Sequence, residues 1–346
     1  MTSATSRATT AIPVSAGPSS AAAAPELPVT LRTDWYRRAR WLLSGLLLAA
    51  FVATCAEAGL PTDRLVLLGW VMAVLAVHSL GRGRTALVRL LADWLPLAAL
   101  LLAYDLSRGL ADGLGATVHV AELADADRWL AGGVLPTVWL QEHWTADWWA
   151  AFASLVYSSH FVVTPAVLAV LWLRDRARWA GYARLVLGLS AAGLVTYVLY
   201  PAAPPWLAAR DGVIEHVDRI SSSGWAVLGL HKAGALLDSG QAQVNQVAAV
   251  PSLHTAFAVL TALVLLPMAA RQWQRAALVG YALAMPVVLV WSGEHYVVDT
   301  LLGAVYAALV WALLPRLVAV VTRPFRRPAA AVAAPPADPV PQRAAA

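Results

Sequence analysis

Cysteine is almost missing: Cys55 is the single one in 346 residues, which excludes an intramolecular disulfide framework and a cysteine-built zinc site. Charge is scarce too. Asp, Glu, Lys and Arg make up 13% of the chain against 60% hydrophobic residues, well below the ~25% charged share of an ordinary soluble domain, and this points to an integral membrane protein with no nucleic-acid partner. Lysine is reduced to Lys232, so the other 24 of the 25 basic residues are arginines. The first thirty residues are rich in Ala, Ser, Thr and Pro and lack an apolar run long enough for a cleaved signal. Residues 1–34 and the Pro/Ala-rich residues 323–346 are therefore expected to be disordered cytoplasmic tails around a membrane-embedded domain, residues 35–322.

Long apolar runs are what the chain does have. They fall at roughly 41–58, 65–80, 87–106, 148–172, 181–200, 253–270, 276–291 and 299–320, each near the ~20 residues needed to cross a bilayer as a helix. The expected fold class is all-α, a polytopic integral membrane helix bundle of about eight spans. Arginines favour cytoplasmic segments, and the two tails with alternate connections carry 19 of the 25 basic residues, which places both termini inside. The other loops then face outward, and two are too long to be simple turns. Residues 107–147 hold the mixed patterns Asp125-Ala126-Asp127-Arg128-Trp129-Leu130 and Leu135-Pro136-Thr137-Val138-Trp139-Leu140, as expected of interfacial helices. Residues 201–250 open on Tyr200-Pro201-Ala202-Ala203-Pro204-Pro205-Trp206, where proline stops the preceding helix. Sixteen tryptophans, many near span ends, fit membrane-interface belts.

The polar residues at the ends of one helix hairpin stand out. It starts at Val250-Pro251-Ser252-Leu253-His254-Thr255 and finishes at Trp291-Ser292-Gly293-Glu294-His295-Tyr296-Val297-Val298-Asp299. The chain crosses and returns between His254 and His295, so both histidines come to one membrane face. Asp299 follows His295 by four positions, one helical turn along on the same side. Pro251 suits the first turn of a helix, whose free N–H groups with the Ser252 hydroxyl make a cradle for an anion such as phosphate. His254 can then protonate a leaving oxygen while His295, oriented by Asp299, attacks phosphorus. That covalent route needs neither a metal nor another cofactor. His160, midway along its span, is either a helix-to-helix hydrogen bond or a pocket wall.

Pro-Ser-Leu-His followed by His-Tyr-x-x-Asp resembles the second and third signature motifs of the type 2 phosphatidic acid phosphatase superfamily. Leu253 and Tyr296 make it more similar to the inositol phosphorylceramide synthase branch, as found in bacterial members. The resemblance implies His295 as nucleophile, Asp299 as its partner and His254 as general acid, in a six-helix core with the site at the outer face of the plasma membrane. Two features of that family have no match here: the Lys and Arg-Pro pair of its first motif, and the Arg that precedes its third-motif histidine. Phosphate needs positive charge, and the outward basic residues are Lys232, Arg128, Arg210 and Arg219. Lys232 and then Arg128 are the expected phosphate-binding residues beside Ser252.

The expected function is a lipid-phosphate phosphatase or phosphotransferase with membrane lipids as partners, a lipid phosphate as substrate and an alcohol as an optional acceptor. The alternative is a non-catalytic transporter or scaffold that retains the fold. Paired haem histidines lie deep in bundles, unlike two histidines at helix starts.

Overall fold

The computed structural model describes residues 29–58, 64–111, 117–242 and 245–322. The expected tails lie outside the described residues, except that the first helix already begins at Val29. Among the described residues the fold is helical, with isolated backbone bridges and no strand. The helices are α1 (Val29–Ala58), α2 (Arg64–Ser79), α3 (Arg84–Ala111), α4 (Glu122–Leu130), α5 (Pro136–His143), α6 (Asp147–Arg174) and α7 (Arg176–Leu199), followed by α8 (Pro205–Arg210), α9 (Ser223–Val227), α10 (His231–Ala242), α11 (Leu253–Leu265), α12 (Gln272–Trp291) and α13 (Val297–Thr322).

All eight expected spans are helices. Six are long and apolar enough to cross a membrane, and the chain is a multi-pass membrane protein; the stretches Val66–Ser79 in α2 and Leu253–Met268, which is α11 with the 3-10 turn that follows it, are apolar but shorter. The short helix α11 has protein on most sides. It packs against α13, α12, α6 and α7, and Ala256, Ala258 and Leu260 are buried. Because lipid tails are as apolar as leucine, close van der Waals contact rather than escape from water holds such a helix. Small residues permit that contact. A Cβ on Gly193 of α7 would lie 2.9 Å from the Leu253 side chain, and one on Gly303 of α13 would lie 2.3 Å from the Ser252 carbonyl oxygen.

One buried cluster, including Leu75, Leu90, Trp94, Leu171, Trp179, Leu189 and Leu260, joins α2, α3, α6, α7 and α11. Another, with Tyr157, Trp225, Met285, Leu289 and Trp291, joins α6, α9 and α12 nearer the histidines.

Both long loops contain short helices, which the mixed patterns predict for residues 107–147 and which are unexpected in residues 201–250, and the two loops are tied to one another. Ala202 bridges to both His119 and Ala248, through His119 N–H to Pro201 O at 2.9 Å, Ala203 N–H to His119 O at 2.9 Å and Ala202 N–H to Val247 O at 2.7 Å. These bonds satisfy backbone groups that no helix pairs and fix the strand of chain that runs into Pro251. The Val250–Pro251 peptide is cis.

Sidedness can be read with single cysteines in a Cys55→Ala background. Gly293 is unsuitable as a label site, since its φ is +76° and a Cβ there would meet the Asp218 carbonyl at 2.6 Å. Exposed Asp211 and Trp273 serve instead. An impermeant maleimide added outside is expected to label Asp211→Cys and spare Trp273→Cys; the reverse pattern would turn the whole topology over.

Candidate active site

Ser252 is the N-cap of α11, with its hydroxyl accepting from Thr255 N–H, a type of cap bond that Ser supplies well. Its own N–H donates to the Asp299 carbonyl at 3.0 Å, and Tyr197 Oη donates to the Pro251 carbonyl at 2.9 Å. The start of α11 is thus pinned to α13 and α7. Ser252 is fully buried, so its side chain serves the helix start from beneath.

His254 follows on the first turn. Its ring centroid lies 5.7 Å from that of His295 at an interplanar angle of 62°, 5.1 Å from Tyr157 and 4.0 Å from His160. His160 is therefore a wall of the histidine site, contributed by α6.

His295 occupies the five-residue connection between α12 and α13. Gly293 makes the turn with its positive φ, a conformation that costs glycine little. The connection is held by Ile220 N–H on Ser292 O at 3.1 Å and Trp206 N–H on Gly293 O at 3.1 Å. His295 Nδ1 meets Asp299 Oδ2 at 3.2 Å, and the same oxygen accepts Tyr296 N–H at 3.1 Å. A carboxylate on Nδ1 selects the tautomer protonated there and leaves the Nε2 lone pair available. Burial by itself lowers the His295 pKa, but the Asp299 charge and hydrogen bond outweigh it and hold it above the ordinary histidine value.

A second carboxylate fixes the start of α13. Asp127 of α4, fully buried, accepts Val298 N–H at 2.9 Å and Val297 N–H at 2.8 Å, a cap supplied from 170 residues away. Burial pushes the Asp127 pKa up to about 6 against these two bonds.

Glu294 anchors a third group. It takes both arms of Arg219, at 2.9 and 3.0 Å, Ser221 Oγ at 2.6 Å and Gln241 Nε2 at 3.1 Å. The Arg219 guanidinium lies 4.7 Å above the Trp206 ring, while Gln241 Nε2 also donates to Tyr157 Oη at 2.8 Å. The loop carrying Arg219 is clasped by Ser154 of α6, which donates to Ser221 O and accepts from Gly224 N–H.

The structure thus brings Ser252, His254, His295 and Asp299 together. Of the two expected cationic phosphate ligands, Lys232 is exposed on α10, which packs on α9 and α1, and Arg128 of α4 is engaged with Glu215 and with Asp125 at 3.1 Å. Arg210 is exposed and pairs with Asp211. Sequence reading overlooked Asp127, Glu294 and the Arg219 contact. Glu294 had a visible signal, a carboxylate adjoining His295 in an otherwise uncharged stretch; Asp127 and Arg219 had none beyond their loops. Among the described residues no group of three or more His, Cys, Asp or Glu is placed to hold a metal ion.

The sequence pattern of the PAP2 superfamily matches residues 121–313, more than half of the chain. The chain belongs to the PAP2 superfamily. The match runs from the residue before α4 into α13 and leaves α1 to α3 outside it. The chain is also similar to a Bacteroides thetaiotaomicron protein named phosphoinositol dihydroceramide synthase, with 31% identity over 151 residues, 42% of this chain and 48% of that protein. The chain therefore spans about half the length of that relative. No solved structure matches.

In this PAP2 superfamily chain the junction of α11 and α13 depends on Gly303. Gly303→Ala is expected to cost about 1–3 kcal/mol by overpacking, read as a lowered Tm, because the obstructing Ser252 oxygen belongs to backbone and not to a movable side chain.

Proposed function

We propose that this protein is a membrane lipid-phosphate phosphotransferase or phosphatase that works through a phosphohistidine on His295 at the outer membrane face. The observation that carries the reading is the pair of rings 5.7 Å apart, one of them backed by a buried carboxylate on Nδ1. His295 Nε2 forms a bond to phosphorus as the P–O bond to the leaving group breaks, and His254 gives that oxygen its proton. Water or an alcohol then attacks phosphorus, His254 takes the incoming proton, and His295 is released. Asp299 steadies the imidazolium character that develops in between.

Arg219 takes the place that Lys232 and Arg128 hold in the sequence-based expectation. It is half-buried, stacked on Trp206 and forked onto the residue that precedes His295, a setting in which a guanidinium is already oriented for a phosphate oxygen. The membership of the PAP2 superfamily supports phosphate chemistry on a lipid. The name of the Bacteroides relative, a synthase, favours transfer to an alcohol over hydrolysis. The skewed arginine distribution supports the outer face as the side of the site.

His295→Ala is expected to abolish turnover and any acid-labile phosphoprotein trapped from a labelled lipid phosphate. His254→Ala should slow formation of that species by roughly 10²–10⁴-fold, the usual contribution of a general acid. Turnover in His295→Ala at the unsubstituted rate would remove this mechanism, and absence of turnover in the unsubstituted chain on any lipid phosphate would leave the transporter or scaffold alternative standing. The pH profile is a separate check. His295 must be unprotonated at Nε2 to attack, so kcat/KM is expected to fall as pH drops through a pKa above the ordinary ~6.5 of histidine. Asp299→Asn should move that acid limb to lower pH, because the interaction raising the pKa is removed.

A further inference from the structure

At the end of the bundle opposite the histidines, a cleft of about 330 Å³ opens between the α2–α3 turn and the α6–α7 turn. The two are separate: α6 meets the histidines at His160 and reaches the cleft at Arg174, about 20 Å further along at 1.5 Å per residue. Arg82, Arg89, Arg174 and Arg176 line the cleft together with His78, Trp172 and one carboxylate, Asp175.

Arginines at the ends of membrane helices are ordinary, but these differ in how their charge is met. On the same face Arg178 pairs with Asp175, at 3.1 Å, and Arg176 pairs with Asp93, at 2.6 Å. Arg82 instead meets the imidazole of His78, and no carboxylate among the described residues forms a salt bridge with Arg82, Arg89 or Arg174. Three guanidinium charges thus converge on one concave space, and the one carboxylate in its lining, Asp175, is already taken by Arg178. Like charges this close repel, and nothing in the fold requires them there.

The walls are also rigid. Asp93, mostly buried, receives Trp172 Nε1 at 2.8 Å as well as Arg176. Behind it stand the buried Leu75, Leu90, Trp94, Leu171 and Trp179. A preformed site loses little freedom on binding. Several guanidinium forks around a pocket of this size match the multiple oxygens and double charge of a phosphate better than the single charge of a carboxylate.

We propose that this cleft is a second anion site that binds a phosphate ester, carried either by an anionic lipid head group or by a soluble phosphorylated molecule. It is independent of the chemistry at His254 and His295. The test uses the full chain in phosphatidylcholine nanodiscs, in two arms. One titrates inorganic pyrophosphate by calorimetry; the other adds phosphatidic acid to the nanodisc and counts retained lipid by native mass spectrometry. The double variant Arg89→Gln/Arg174→Gln is compared with Arg184→Gln, which removes an exposed charge of α7 outside the cleft.

The double variant is expected to weaken binding about tenfold or more in at least one arm, while Arg184→Gln leaves it unchanged. Loss confined to the lipid arm identifies a head group; loss in the pyrophosphate arm identifies a soluble ligand. Without ligand the double variant should have an unchanged or higher Tm, since it relieves repulsion, whereas a purely structural role would lower it. Turnover on a lipid phosphate, measured in parallel, separates this site from the reaction centre. Equal binding by all three proteins in both arms, no binding by the unsubstituted chain, or equal loss in Arg184→Gln would each overturn the proposal.

Discussion

The hydrogen bond from Ser252 N–H to the Asp299 carbonyl joins the two helix starts on which the candidate site is built. It exists because Gly303, one turn further along α13, presents no Cβ to the Ser252 oxygen. His254 depends on it through the first turn of α11, and the His295–Asp299 pair depends on it through the first turn of α13. Each histidine is placed by the helix start that carries it, and a shift of α11 against α13 changes the distance between the two rings directly.

Around that junction the chain arranges unusually costly charges. Asp127, Glu294 and Asp299 are all buried, and burial of a carboxylate is tolerated where donors surround it. Asp127 is met by two backbone N–H groups of a helix start, Glu294 by Arg219, Ser221 and Gln241, and Asp299 by His295 and Tyr296 N–H. The three carboxylates serve different ends: one aims a helix, one holds a cation, one orients an imidazole. An alanine at any of them leaves donors without their acceptor, which is worse than never having buried the group.

What the sequence made legible follows from how local each signal is. The eight spans are visible because hydropathy is a property of contiguous residues, and His295 with Asp299 is visible because a four-residue spacing fixes their relation within one helical turn. His254 joins them only through the argument that the chain crosses and returns. Lys232 was selected by closeness in the chain to His254, and closeness in the chain does not survive a loop that folds back on α9 and α1. Arg219 and Asp127 reach the site across 75 and 170 residues, and no periodicity or composition encodes such a contact. His160 lay midway in a span with two readings open, and the packing of α6 against α11 brings its ring to 4.0 Å from that of His254.

The cap that Asp127 places on α13 also sets an order on assembly. During synthesis α4 emerges long before α13, so the Asp127 carboxylate must wait for its donors while most of the bundle inserts. Contacts of such sequence separation form late, since their loop-closure entropy is met only when the intervening chain is already ordered. A chain shortened within α12 would therefore hold His254 and yet lack both the second ring and the group that positions it. Any reactivity toward lipid phosphates is in this way withheld until the last helix is in the membrane.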